Sequence, residues 1–214
     1  MNGVTGDIQI GTKANTSSAY TNKFSNALYG INLNESNLNL ANTDFEDIYN
    51  RDMDAHVLDH GSAIQISNQA TASFDVTIGD ADEDFINSFK NVNRGITLKN
   101  YMSNGNVKIF NCVFDNSEYN YRNSGGEFQN TAITIQSPNV VTGRTTEVFG
   151  NGITDFRIGI HATNIENIIV YGYDAFDDAL PNTISYHLGN GSDVARKHTG
   201  IWLQTCANTS VKKM

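Results

Sequence analysis

Several groups of side chains in this 214-residue chain have the types and spacing to do chemistry. Asp80-x-Asp82-x-Asp84 sets three carboxylates at alternate positions, as at the start of a calcium loop, because a hard cation takes several oxygens at once. The pattern then departs: no Gly stands two residues beyond Asp84, and the twelfth position is Asn91 rather than Glu. An acidic corner loop is the better reading. Calcium is thus the one cofactor the sequence raises, and no residues are assigned to a metal site. Asp174, Asp177 and Asp178 gather beside Phe176, and paired carboxylates are what acid–base cleavage of a glycoside requires. They fall in an insertion, where solvated acids are common. His56-x-x-x-His60 has a metal-ligand spacing for one helix face but lacks the adjacent Glu of a metalloprotease, so two loop histidines are expected. Lys108 and Arg157 are cations at outward positions beside Ile109 and Ile158, where a proton-abstracting base could sit. No Asp column accompanies them, and no catalytic residue is assigned.

A different kind of site comes from a phrase that recurs six times. It reads Gly30-Ile31-Asn32-Leu33, Ala63-Ile64-Gln65-Ile66, Gly95-Ile96-Thr97-Leu98, Ala132-Ile133-Thr134-Ile135, Gly159-Ile160-His161-Ala162 and Gly200-Ile201-Trp202-Leu203. Successive isoleucines lie 33, 32, 37, 27 and 41 residues apart, a spacing that points to stacked repeats. The phrase alternates with the two-residue period of a strand, so its middle residues leave the core. Stacking the repeats puts Asn32, Gln65, Thr97, Thr134, His161 and Trp202 in one outward column. Trp202 would stack on a sugar ring while Thr97, Thr134 and His161 hydrogen-bond its hydroxyls; these four are the candidate ligand-binding residues. The competing reading is an ordinary solvated face with one shielded Trp.

These residues must be positioned by short strands. After each phrase come a second and a third apolar stretch, joined by Leu40-x-Asn42-x-x-Phe45 and Ile109-x-Asn111-x-x-Phe114. Repeats two and four fit less closely, through Phe74 to Ile78 with Phe85, and Val148-Phe149 with Ile153 and Phe156. Asn and Gly at the bends tolerate the left-handed backbone of a sharp corner, and aligned Asn side chains can form ladders. Three short strands per repeat describe one coil of an all-β, right-handed parallel β-helix of about six coils. In this pattern, over roughly residues 28–212, the chain resembles the pectate-lyase-like superfamily of β-helix repeats. The resemblance implies a solenoid, an extracellular or cell-surface location, and acidic polysaccharide as a substrate class for any enzyme. It does not extend to motifs. Asn42-Thr43-Asp44 resembles one short motif of the β-helical polygalacturonases, but that family's Gly-His-Gly is replaced by Asp59-His60-Gly61, and in place of Arg-x-Lys stands Arg196-Lys197-His198. A sandwich would need Asn-Gly hairpins, and only Asn151-Gly152 is tightly flanked by apolar residues.

Residues 1–27 read as an irregular edge or partial coil and 28–214 as the solenoid. Insertions are expected over 115–131, 136–146 and 174–199. A second strand starts at Val211 and breaks off at Lys212-Lys213-Met214 without a terminal cap, so the expectation is a fragment of a longer polypeptide or an end covered by a partner. Only two Pro fit a chain that is mostly ladder. The 29 Asn lie among regularly spaced Ile, Leu, Val and Phe, which favours ordered β structure over low complexity. A net charge of −9 speaks against a nucleic-acid binder and against anionic membrane surfaces. No apolar run is long enough to span a membrane, and Met1-Asn2-Gly3-Val4 lacks the character of a secretory signal. Cys112 and Cys206 fall three repeats apart, roughly 14 Å at the strand spacing, too far for a disulfide.

The functional expectation is a non-catalytic β-helix segment of an exported or cell-surface protein, an adhesin-like or glycan-binding scaffold. Two alternatives stand beside it: a polysaccharide lyase or glycoside hydrolase, and a phage tail-spike module built as an intertwined trimer.

Overall fold

The computed structural model describes residues 7–11, 21–48, 61–69, 72–81, 85–117, 130–170, 182–185 and 199–211. Every strand among them belongs to one of three parallel sheets, and the chain visits the sheets in strict rotation. The first sheet holds β1 (Asp7–Ile10), β4 (Asn37–Leu40), β7 (Val76–Ile78), β10 (Val107–Phe110), β13 (Thr146–Phe149), β16 (Ile168–Val170) and β19 (Ser210–Val211). The second holds β2 (Asn22–Ser25), β5 (Thr43–Glu46), β8 (Asn87–Lys90), β11 (Cys112–Asp115), β14 (Gly152–Thr154) and β17 (Thr183–Ser185). The third holds β3 (Tyr29–Asn34), β6 (Ser62–Ser67), β9 (Arg94–Lys99), β12 (Thr131–Val141), β15 (Ile158–Ile165) and β18 (Thr199–Gln204). Each strand pairs with the one three places on, which makes a right-handed parallel β-helix of about six coils. β1 and β2, within residues 1–27, pair with β4 and β5 and so belong to the first coil.

The recurring phrase is the third sheet. Ile31, Ile64, Ile96, Ile133, Ile160 and Ile201 stand in one register, and Leu33, Ile66, Leu98, Ile135, Ala162 and Leu203 in the next inward one. The phrase opens on Gly or Ala because that position faces the aromatic core. A Cβ on Gly30 would lie 2.6 Å from the Phe45 ring, and one on Gly95 would lie 2.6 Å from the Phe114 ring. The core is therefore continuous from coil to coil, each buried Ile or Phe contributing about 1.5–3 kcal/mol.

On the second sheet Phe24, Phe45, Phe89 and Phe114 stack face to face, with centroids 5.3, 5.0 and 4.4 Å apart. The stack corrects the sequence reading of the second repeat, which assigned Phe85 to this place. Seven residues separate Gly79 from Asn87, and Phe89, not Phe85, takes the inward register. At the fifth coil the register passes to Ile153, while Phe156 meets Phe114 edge-on at 6.1 Å.

The corners explain the composition. Thirteen described non-glycine residues have positive φ, nine of them Asn, including Asn42 and Asn111 at 49°. The asparagine ladder, however, runs one residue further on, through buried Asn87, Asn151 and Asn182, in line with Thr43 and Cys112. Asn151 Oδ1 accepts from the Cys112 N–H at 3.1 Å, and its Nδ2 donates to the Ile109 carbonyl at 3.1 Å and to Asn182 Oδ1 at 2.9 Å. Asn87 repeats the arrangement below it, accepting from the Thr43 N–H and donating to the Leu40 carbonyl, both at 3.2 Å. Asn42 is instead a corner residue whose Oδ1 accepts from the Thr21 hydroxyl at 3.3 Å.

Between the third and first sheets a polar staple joins successive coils. Fully buried Arg144 donates Nη1 to the carbonyls of Tyr101 and Ser103 at 3.0 and 3.2 Å. The Tyr101 hydroxyl donates to the Phe74 carbonyl at 2.7 Å, and burial pushes this phenol up to about 12. Among the described residues Nε and Nη2 of Arg144 have no hydrogen-bond partner, and its guanidinium lies 5.3 Å from the centre of the Tyr101 ring.

Candidate functional site on the third sheet

The outward column is present in register: Asn32, Gln65, Thr97, Thr134, His161 and Trp202 are successive rungs. It is not evenly solvated. Asn32 is exposed and Gln65 and Trp202 are half-buried, whereas Thr97, Thr134 and His161 are 2%, 7% and 2% exposed. Part of that enclosure comes from neighbouring side chains. Thr97 Oγ1 lies 3.1 Å from the Ser62 hydroxyl. His161 is held on three sides: Gln136 Nε2 lies 3.5 Å from Nδ1, the Thr163 hydroxyl 3.1 Å from Nε2, and the Trp202 ring 4.9 Å away at 33°.

Burial lowers the His161 pKa, so the imidazole is neutral at neutral pH. A Gln136 amide that donates to Nδ1 fixes the proton on Nε2, from which it donates to Thr163 Oγ1. The ring is a rigid, uncharged shelf for Trp202. β18 is the last strand of its sheet among the described residues, so no described rung stacks on the other side of the indole.

Sequence reasoning missed a second outward column, two residues beyond the first: Asn34, Ser67, Lys99, Gln136, Thr163 and Gln204. Asn34, Ser67 and Lys99 pair in succession, as do Gln136, Thr163 and Gln204, and Lys99 and Gln136 each follow the paired Leu98 and Ile135. All six are exposed or half-exposed, so this column is more accessible than the first. Its signal was available, since each phrase continues polar: Leu33-Asn34, Ile66-Ser67, Leu98-Lys99, Ile135-Gln136, Ala162-Thr163, Leu203-Gln204. Together the columns offer amide and hydroxyl groups that both donate and accept, ending on one indole.

The other candidates fall elsewhere. Lys108 lies on the first sheet, its ammonium 5.0 and 5.1 Å from the stacked rings of Phe110 and Phe149. Arg157 lies beside the third sheet, its N–H donating to Asn130 Oδ1 at 2.8 Å and its carbonyl accepting from the Thr199 N–H. Lys108 thus belongs to the first sheet, whereas Arg157 sits in the turn before β15 of the third. Thr43 and Asp44 of the Asn-Thr-Asp triplet belong to β5, where the Thr43 hydroxyl donates to the Ala41 carbonyl at 3.0 Å. Asp82, Asp84, His56, His60, Asp174, Asp177 and Asp178 lie outside the described residues, and among the described ones no three His, Cys, Asp or Glu cluster as a metal site would require. Cys112 and Cys206 are free, and burial pushes the Cys112 thiol up to about 12, so it is an inert member of the asparagine ladder. Compared with known proteins, the chain matches no family model, no curated protein and no solved structure.

Proposed function

We propose that this chain is a non-catalytic β-helix segment of an exported or cell-surface protein that holds a glycan on the outer face of its third sheet. The observation that carries this reading is Trp202, half-exposed at the end of two polar columns and seated on a neutral, hydrogen-bonded His161. An indole on a fixed support offers the flat apolar surface that the C–H face of a sugar ring needs, and side-chain amides and hydroxyls beside it match sugar hydroxyls. The exported setting rests on the repeat pattern's resemblance to the pectate-lyase-like superfamily. The enzyme alternative draws less support, because Lys108 lies on the first sheet and Arg157 in the turn that leads into β15 of the third.

Trp202 is the only tryptophan beside nine tyrosines, so fluorescence excited selectively at the indole reports on this site alone. Titration with a panel of soluble polysaccharides is expected to give a saturable change in emission with at least one of them. Both substitutions remove this fluorophore, so the variants are read by retardation in native gels cast with the responding polysaccharide: Trp202→Phe keeps binding, Trp202→Ala abolishes it, and no shortened oligosaccharide is released. A panel with no saturable response overturns the glycan reading; released oligosaccharide overturns the non-catalytic one.

A further inference from the structure

We infer that the third-sheet face selects a neutral polysaccharide and rejects acidic ones, an inference that rests on the glycan-binding reading above. Across the twelve positions of its two outward columns the only charged side chain is Lys99, since His161 is neutral. The rest are Asn, Gln, Ser and Thr, with Trp202 at the end. The corresponding face of the second sheet carries Lys23, Asp44, Glu46, Lys90 and Asp115, so a nearly uncharged face is a property of one sheet and not of the whole surface.

The charge argument is direct. A polyuronate or a sulfated chain presents an anion on nearly every unit. Within the two columns Lys99 is the one cation that could offset the loss of water of those anions. The chain's net charge of −9 adds long-range repulsion to that cost. Of the three described arginines, Arg94 and Arg144 are 8% and 0% exposed, and half-exposed Arg157 precedes β15 and belongs to neither column. A neutral chain has the opposite character. Each of its hydroxyls both donates and accepts, as do the amide of Gln204 and the hydroxyl of Thr163 on neighbouring rungs. Rungs repeat at about 4.8 Å, so a ligand that itself repeats can meet several coils in the same way.

Affinity electrophoresis tests this. The whole chain is run at low and high salt through native gels cast with a neutral β-glucan, xylan or galactomannan, and in parallel with polygalacturonate or alginate. Retardation is expected with at least one neutral polymer, equal at both salt concentrations, and with neither acidic one. Gln204→Ala, at an exposed position, weakens the neutral interaction about tenfold at most, the worth of one good hydrogen bond. Lys99→Glu leaves it unchanged. Retardation by an acidic polymer that high salt or Lys99→Glu removes, with Trp202 still required, overturns the neutral selectivity while the glycan reading stands. No retardation in any gel, together with silent Trp202 fluorescence, overturns both.

Discussion

The inside of the second sheet and the outside of the third are built from the same coils by opposite rules. Inside, residue types recur along a column: Phe24, Phe45, Phe89 and Phe114 on four successive rungs before Ile153, and Asn87, Asn151 and Asn182 in the column beside it, with Cys112 between the first two. Outside, the rung changes from Asn to Gln, Thr, His and Trp. A buried side chain has its neighbours above and below as its main environment, which favours like on like and confines the exceptions to compact buried residues such as Cys112 and Ile153. An outward side chain escapes that demand and is free to carry recognition. Repetition holds the coil, and variation along one face supplies the chemistry.

If that division is right, interior substitutions cost stability and face substitutions cost binding. The largest effect is expected from Phe89→Ala, which empties the middle of the aromatic stack and should lower unfolding free energy by about 3–5 kcal/mol in denaturant titration. A loss below that of any face variant would break the comparison. Next comes Asn151→Ala, which strips the Cys112 N–H and the Ile109 carbonyl of their partner inside the core. About 1–3 kcal/mol is expected for each group left unpaired, and the same titration reads it.

His161 sharpens the comparison, because it is an outward residue that is buried. Its folded pKa is lowered, so the unfolded chain takes up a proton first, near pH ~6.5. Stability is therefore complete above that pH and declines as pH falls through it, towards the folded value. His161→Gln should flatten this slope in melting temperatures measured across the range. An unchanged slope would mean that the ring is not the group responsible. The smallest effect belongs to the second-sheet surface. Lys23 and Glu46 form an exposed pair at 2.5 Å, each favouring the other's charged form through that hydrogen bond. Lys23→Ala should leave the melting temperature where it was, at low salt and high.

The fold was legible because the four-residue phrase recurs in every coil although the stretches between its copies differ in length, and the register of the third sheet follows from it residue by residue. Phe85 was misplaced because the seven residues between Gly79 and Asn87 include a Phe before the true rung at Phe89. The ladder position was displaced by one because Asn serves two purposes here. At Asn42 and Asn111 it allows positive φ, and at Asn87 and Asn151 it satisfies buried backbone groups. Spacing alone does not separate those uses. At the site, the alternation placed His161 beside Trp202, but the burial of Thr97, Thr134 and His161 was not legible. What encloses an outward residue includes side chains one column over or a coil away, such as Ser62, Gln136 and Thr163.

Pairing each strand with the third one along has a mechanical consequence. A coil is bonded to the coils before and after it and to little else, so tension applied to the two ends of the chain peels it one coil at a time instead of shearing a whole sheet. Each release frees the 27 to 41 residues between successive phrases, roughly 90–150 Å of extended chain. A force trace would then be an uneven staircase, its longest steps marking the coils that carry the insertions.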